Sequence, residues 1–491
     1  MYNVPPPAET RANAGATTID ETLDSLIRPV ADLVAGFIFF DITVMDASLP
    51  LIVIWLVAGG VFFTGYLGFI NVRGFGTAVG LLFKRAPGHV PGEISAFQAL
   101  STAVSGTVGI GNIAGVAIAI SLGGPGATFW LIVAGLLGMA TKFAECTLGV
   151  RYRRENEDGS VSGGPMYYLQ FGLAERGLAG TGRVLGMFYA IAMVVGCLGI
   201  GNMFQANQAV AIMTTVTGGE SSLLAGRAWL AGLAMAIVVA AVTIGGIRSI
   251  ARVTEKLVPF MALLYVLSAV TVILLNADRL PWALQAIVTG AFSPDGVTGG
   301  IIGVIVIGFR RAVFSNEAGL GSASIAHSAV RTSHPATEGY VGLLEPFIDT
   351  VVICTLTALV IITTIYDPAL ANAGISGIEM TTRAFAETIS WSPVPLSIAA
   401  VLFAFSTMIT WSYYGLKAFT YLAGEGPVGQ LVFKGVFCAF IVVGATINLG
   451  ALIDLSDALV FVVAIPNLVG LYLLAPVVRE EIRRFREAGE G

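Results

Sequence analysis

Apolar positions gather into long runs separated by short polar stretches. The runs number about eleven, each of roughly 20 residues, near 51–72, 98–122, 126–149, 184–214, 226–246, 256–276, 299–322, 338–364, 395–418, 430–449 and 456–478. Runs of that length cross a bilayer as helices. Two of them are interrupted by polar residues and glycine. The first interruption lies in "STAVSGTVGIGNIAGVAIAISLGG", Ser101–Gly124, where Ser105, Thr107 and Asn112 stand among Gly106, Gly109, Gly111 and Gly115. The second is "FSNEAGLGSAS", Phe314–Ser324, five runs later.

Composition agrees with a polytopic membrane protein. Of 491 residues, 56% are hydrophobic and 12% charged, against about a quarter charged in soluble chains. The charges are sorted by side. Arg73, Lys84, Arg85, Arg151, Arg153, Arg154, Arg248, Arg252, Lys256, Arg331, Arg479, Arg483, Arg484 and Arg486 fall in one set of loops and the tail. Glu220, Asp278, Asp295, Asp367, Glu379, Glu387, Asp454 and Asp457 mark the other set. The basic set is cytoplasmic by the positive-inside rule. The N-terminus is then outside and the C-terminus inside, which needs an odd number of spans; eleven satisfies it. No cleavable signal is expected at the start. Residues 1–50 are read as an extracytoplasmic segment, with 20 to about 47 either an amphipathic surface helix, its apolar face Leu23, Leu26, Ile27, Val30, Leu33 and Val34, or part of a folded cap. Cys146, Cys197, Cys354 and Cys438 show no pairing or ligand spacing and read as small apolar side chains. His89, His327 and His334 form no metal motif.

Glycine in a membrane helix by default means close packing, and Gly111–Gly115 is a GxxxG pair. Two interruptions in corresponding positions of two five-helix halves mean more. They point to a secondary transporter's binding site. Unwinding frees backbone N–H and C=O groups, which lipid does not tolerate but a watered cavity does. Freed N–H groups attract a carboxylate and freed carbonyls a hard cation. Gly109–Ala114 also fits a dinucleotide GxGxxA pattern, but it has neither a preceding strand nor a following acid at the right distance.

Six motifs then occur in order: "TVGIGN" (Thr107–Asn112), "GGPMYYL" (Gly163–Leu169), "GNMFQAN" (Gly201–Asn207), "FSNEAGLGSA" (Phe314–Ala323), "FIDT" (Phe347–Thr350) and "TMITWSYYG" (Thr407–Gly415). With them the chain beyond about residue 50 resembles the alanine or glycine:cation symporter family, the sodium:alanine symporters. Through "VGIGN" it is also similar to neurotransmitter:sodium symporters. The resemblance implies an all-α, leucine-transporter-like fold: an extra N-terminal span (51–72), two inverted five-helix repeats (98–276 and 299–478) with broken first and sixth core helices, and a cytoplasmic tail (479–491).

It also implies a site. The substrate carboxylate would meet Ile110 and Gly111, with Thr107 and Gly109 close by; Gln205, Phe314, Asn316, Thr407 and Trp411 would complete the pocket. Trp411, one turn after Thr407, would keep it small, favouring alanine and glycine. Sodium would take Ser105 and Val108 carbonyls with the Ser406 and Thr407 hydroxyls; the family commonly has two threonines there. Ser406 and Thr407 have the alternative of bonding their own helix, and Gln205 that of joining two helices. Asn112 and Asn316 would face each other across the repeats, holding substrate, a second cation or only the unwound backbones. Arg310 or Arg311 is expected to pair with Glu317 or Asp349, as a structural ion pair or as a gate or proton relay. Arg311 departs from the family's usual glycine. The amphipathic Ser376–Ser390 is expected to lid the outer vestibule.

The function that follows is import of small neutral amino acids coupled to sodium, by alternating access, in a prokaryotic-type plasma membrane. Sodium is the coupling ion, no cofactor is needed, lipid surrounds the bundle, nucleic acid plays no part, and a monomer suffices. A proton-coupled symporter of the same fold and a substrate-binding sensor are the alternatives. A channel would show charge rings or a repeated carbonyl filter. An enzyme would show HExxH, GxSxG or a metal cluster; none occurs.

Overall fold

In the computed structural model, residues 28–29, 32–44, 47–84, 90–157, 159–292, 300–367, 377–447 and 449–489 are described. Arg85, His89, Asp295, Ser376, Leu23, Leu26, Ile27 and Val30 of the reading above lie outside them. The entry segment is helical at 32–38 and then turns into an antiparallel hairpin, β1 (Asp41–Val44) with β2 (Ala47–Pro50), Asp41 opposite Pro50. A surface helix reaching 47 is therefore corrected: β-branched Ile42, Thr43 and Val44 favour the strand.

Helices make up almost all the rest. They are α1 (Leu51–Tyr66), α2 (Ala96–Thr107), α3 (Ala114–Gly123), α4 (Gly126–Arg151), α5 (Ala179–Val216), α6 (Ala228–Thr243) and α7 (Gly246–Leu275). Then come α8 (Leu280–Phe292), α9 (Gly300–Asn316), α10 (Ser322–His327), α11 (Pro335–Thr364), α12 (Ile378–Thr388), α13 (Pro393–Ala423), α14 (Pro427–Thr446) and α15 (Leu449–Glu487). Among the described residues seven helices are long and apolar enough to cross a membrane, eight when the bent pair α2–α3 counts as one; α1 and α6 are shorter and equally apolar.

Exposure separates inside from outside. On α6, Leu230, Leu233, Ile237 and Val238 are exposed, and on α7, Phe260, Leu263 and Leu267; in a membrane these positions face lipid. The centre holds α2, α3, α4, α9, α10 and α13, whose facing residues are buried. Small residues set the distances there. A Cβ on Gly138 would lie 2.8 Å from Ala318 Cβ, and one on Gly149 2.8 Å from the Ser324 carbonyl, so α4 runs hard against the second break. Two long helices carry π-helical turns, Gly199–Met203 in α5 and Phe347–Cys354 in α11. Both turns face the breaks.

Candidate functional site

The first break begins where α2 loses its hydrogen bonds. Ser95 starts that helix with a capping box to Gln98. After Thr107, Val108 leaves helical geometry and Gly109 is extended, at φ −130° and ψ −159°. A single tight turn, Ile110–Asn112, follows, and α3 departs at 59° to α2. Glycine at 109 is a matter of space. A Cβ there would meet Thr407 Oγ1 at 2.6 Å and Gln205 Oε1 at 3.1 Å.

The freed groups of this break are met by neutral side chains. Gly109 N–H donates to Asn112 Oδ1 (2.9 Å) and Ile110 N–H to Gln205 Oε1 (3.1 Å). Gln205 Nε2 in turn donates to the Ile200 carbonyl in the π turn of α5 (3.2 Å). On the other flank Ser105 and the α13 hydroxyls converge. Thr407 Oγ1 donates to the Ser105 carbonyl at 3.1 Å and Ser406 Oγ reaches it at 3.4 Å. Ser105 Oγ donates to the Ser406 carbonyl (2.7 Å) and shares a hydrogen bond with Thr410 Oγ1 (3.0 Å). Ser406 also bonds back to Phe403 O (2.9 Å), so both readings of that hydroxyl are present at once.

The second break is built differently. Glu317 has φ 56°, and Gly319 and Gly321 follow at 95° and 78°. Left-handed geometry at a glutamate costs about 1 kcal/mol or more, and its carboxylate is fastened: Ser322 Oγ and Trp411 Nε1 both donate to it, the latter at 3.0 Å. The freed N–H groups of Gly319 and Gly321 donate to Glu145 Oε1 of α4, at 2.9 and 3.0 Å. Asn467 of α15 donates to the same oxygen (2.8 Å) and to Gly319 O (2.8 Å), and Tyr168 donates to Asn467. Tyr189 donates to Leu320 O (2.9 Å). An internal carboxylate thus occupies the anion cradle of the second break. The first cradle holds only amide oxygens, and a ligand's carboxylate can replace those.

Trp411 joins the two breaks. Its Nε1 also donates to Gly106 O (3.2 Å), and its ring lies so close to α5 that a Cβ on Gly201 would overlap it at 2.0 Å. Phe314 packs on Gly111, and its ring meets Phe204 edge-on, centroids 5.3 Å apart. Gly109, Ile110, Gly111, Gln205, Phe314, Thr407 and Trp411 therefore come together around one point. Thr107 is held back on α2 by weak bonds to Ala103 and Val104 carbonyls, 3.4 Å each. Val108 is buried beside the turn.

Several expected contacts are replaced. Asn112 and Asn316 do not bond each other. Both reach the π turn of α11: Asn112 Nδ2 donates to Asp349 Oδ1 (2.5 Å), Asn316 Nδ2 to Thr350 Oγ1 (3.0 Å). Arg310 and Arg311 pair with neither Glu317 nor Asp349. Both grip Asp457 of α15, Arg310 at 2.8 Å and Arg311 with two bonds of 3.2 and 2.5 Å. The reason is position: Asp457 lies inside α15 rather than in a loop, beside the last two turns of α9. Asp349 is held by Asn112, Ser315 and Thr350. Lys142 and Glu345 form a further buried pair, 3.1 Å apart and fully enclosed. The sequence reading passed over Lys142, Glu145 and Glu345, although an ionisable residue inside an apolar run is the usual flag. The amphipathic segment forms α12, and its Thr381 donates to Ile113 O just past the first break (3.1 Å).

The profile of the family described as "Sodium:alanine symporter family" matches residues 38–490. The sodium/alanine symporter AgcS of Methanococcus maripaludis is 39% identical over 440 residues, 89% of this chain and 94% of that protein. The probable sodium/glutamine symporter GlnT of Bacillus subtilis is 34% identical, covering 90% of this chain and 89% of that one. Among solved structures, MhsT in complex with L-phenylalanine shares the fold at 15% identity and a TM-score of 0.57, over 79% of this chain and 90% of that one.

Proposed function

The chain belongs to the sodium:alanine symporter family, a family of membrane transporters and not of enzymes, and from that membership we propose that it imports small neutral amino acids, alanine and glycine, coupled to sodium. The proposal includes eleven spans: α1, then two inverted five-helix repeats (98–276 and 299–478), with the N-terminus and segment 1–50 outside and the tail 479–491 in the cytoplasm. A monomer in the prokaryotic plasma membrane is sufficient, because one bundle encloses the site.

The observation that carries this reading is the difference between the two breaks. The amino acid's carboxylate displaces Gln205 Oε1 from Ile110 N–H and takes the Gly111 N–H, where helix-start dipoles favour an anion. Its side chain lies among Phe314, Trp411 and Thr407, whose bulk favours a small one. Sodium sits at the Ser105 carbonyl, with Val108 O and the Ser406 and Thr407 hydroxyls as the other oxygens; the two hydroxyls already converge on Ser105 O. Asn112 and Asn316 hold the unwound segments to α11 and do not bind a second ion. Arg310 and Arg311 on Asp457 act as the outer gate over Phe314. Sodium ties α2 to α13 and so orders the turn that takes the carboxylate. Alternating access rocks a bundle of α2–α4 and α9–α11 against a scaffold of α5–α7, α13 and α14.

The test is uptake of radiolabelled alanine by proteoliposomes under an inward sodium gradient, with choline as control. Sodium-driven accumulation, lost in the Ser406→Ala/Thr407→Ala protein, is expected. Uptake indifferent to sodium and driven by a pH gradient would replace the coupling ion. That second reading has one observation in its favour: Glu317 and Asp349 are buried with neutral hydrogen-bonding partners. Binding without uptake would make the protein a sensor.

A further inference from the structure

A cavity of about 750 Å³ opens on the face that carries the arginines and lysines. Lys84, Arg248, Arg252 and Arg331 line it, with Glu93 and Phe97. The cations outnumber the carboxylates of the wall, four to two, and Glu93 pairs with one of them. Both oxygens of Glu93 are engaged, one by Arg248 at 3.2 Å and one by Val161 N–H at 3.0 Å. Glu338, also on the wall, is committed to His327 at 2.7 Å. Arg331 donates to the main-chain carbonyls of Gly92 and Glu93, which carry no net charge. In the tail's basic patch Arg483 and Arg484 are likewise paired, with Glu480, at 2.6 and 3.1 Å.

The cavity lies across the boundary between bundle and scaffold. Arg248 and Arg252 belong to the first turns of α7. Arg331 follows α10 and is joined to the leader of α2, where Ile94 pairs with Val330. Arg153 reinforces that junction, donating to the carbonyls of Pro91, Ser328, Val330 and Thr332. Directly behind the cavity α2 is latched to α7: Gln98 donates to Glu255 (2.8 Å) and Thr102 meets Thr254 (3.0 Å). One rim is apolar. Phe83 is 74% exposed and stacks on Phe97, and Val79 of the short helix Phe75–Leu82 is exposed beside it.

We propose that this cavity binds the phosphate of an anionic phospholipid headgroup and thereby holds the cytoplasmic side closed. Guanidinium forks match phosphate oxygens, the basic cluster lies at the membrane surface where anionic lipid collects, and the Phe83 rim receives the acyl chains. The phosphate bridges cations on α7 to Arg331 on the bundle. When the bundle swings away those two groups of cations part, so the anion has its higher affinity for the closed state and shifts the equilibrium toward it. The sidedness and the moving bundle rest on the transport reading above; the binding itself does not.

Native mass spectrometry of the purified full chain tests this with dioctanoyl phosphatidylglycerol, dioctanoyl phosphatidylcholine and glycerol phosphate, without sodium gradient or amino acid. Retention of phosphatidylglycerol and not phosphatidylcholine is expected. Arg248→Gln/Arg252→Gln should weaken retention by at least about ten-fold, from roughly 1 kcal/mol per basic side chain. Arg483→Gln/Arg486→Gln, which removes the same charge from the tail, should leave retention unchanged. Equal retention by wild type and the α7 variant, or equal loss in the tail variant, overturns the site. Glycerol phosphate that binds as well as the lipid overturns the lipid as ligand. If the α7 variant does not fold, Arg331→Gln carries the same prediction. Because no transport is measured, a failed uptake experiment and a failed lipid site remain distinguishable.

Discussion

At the scale of single residues, the first break works because small and amide side chains leave its backbone available. Gly109 has no room for a Cβ between Thr407 and Gln205. Gly109→Ala should therefore yield folded protein whose alanine affinity, read by isothermal titration, drops at least about ten-fold, the equivalent of roughly 1.4 kcal/mol. Gln205 makes a sharper test. Its Oε1 occupies the place assigned to the substrate carboxylate. Gln205→Ala vacates that place and should weaken binding moderately. Gln205→Glu fills it with a fixed negative charge and should abolish binding. If Gln205 only fastens α5 to α2, the alanine variant will be the worse of the two. Ser105, Thr107 and Asn112 stand out in the sequence as polar residues of an apolar span, whereas Gln205, Thr407 and Trp411 were named through the family resemblance. Glu145, Asn467 and Asp457 were not legible, because their partners lie more than a hundred residues away.

At the scale of elements, the second break shows how a membrane protein satisfies an unwound segment without a ligand. Glu145 accepts two backbone N–H groups and the Asn467 amide on one oxygen. Glu145→Ala leaves those donors buried and bare, at about 1–3 kcal/mol each, and should lower the melting temperature sharply. Glu145→Gln keeps an acceptor and should be the milder change, as thermal unfolding in detergent will show. The C-terminal turns of α9 depend likewise on Asp457. Asp457→Asn removes a charge that two arginines share, and a broken buried pair costs about 3–5 kcal/mol. Of the two arginines, Arg311 is 7% exposed and Arg310 29%, so Arg311→Gln should destabilise more than Arg310→Gln. The runs themselves were readable from hydropathy, although α7 begins ten residues before its run and α15 ends nine residues past its own. The ion pairs were not: Asp457 looks like a loop acid until α15 is seen to begin at Leu449, and Arg310–Glu317 was the nearest pairing along the chain, not in space.

At the scale of the whole molecule, the two breaks are satisfied differently, one by the protein's own carboxylate and one by amide oxygens. Trp411 ties them together, and the hydroxyls of α13 tie the first to the scaffold. Such an arrangement predicts mutual dependence of ion and amino acid, since both order the same turn between Ser105 and Asn112, and that coupling must be reciprocal. The fold class was legible because lipid leaves a chain few choices; the difference in hydrogen bonding between the breaks was not, because both look alike as sequence. The most direct measurement is alanine binding to the purified protein by isothermal titration, across a sodium series at constant ionic strength, in wild type and in Ser406→Ala/Thr407→Ala. Affinity that rises with sodium in wild type and is flat in the variant is the predicted result. Affinity independent of sodium in both proteins, with alanine bound, would contradict it.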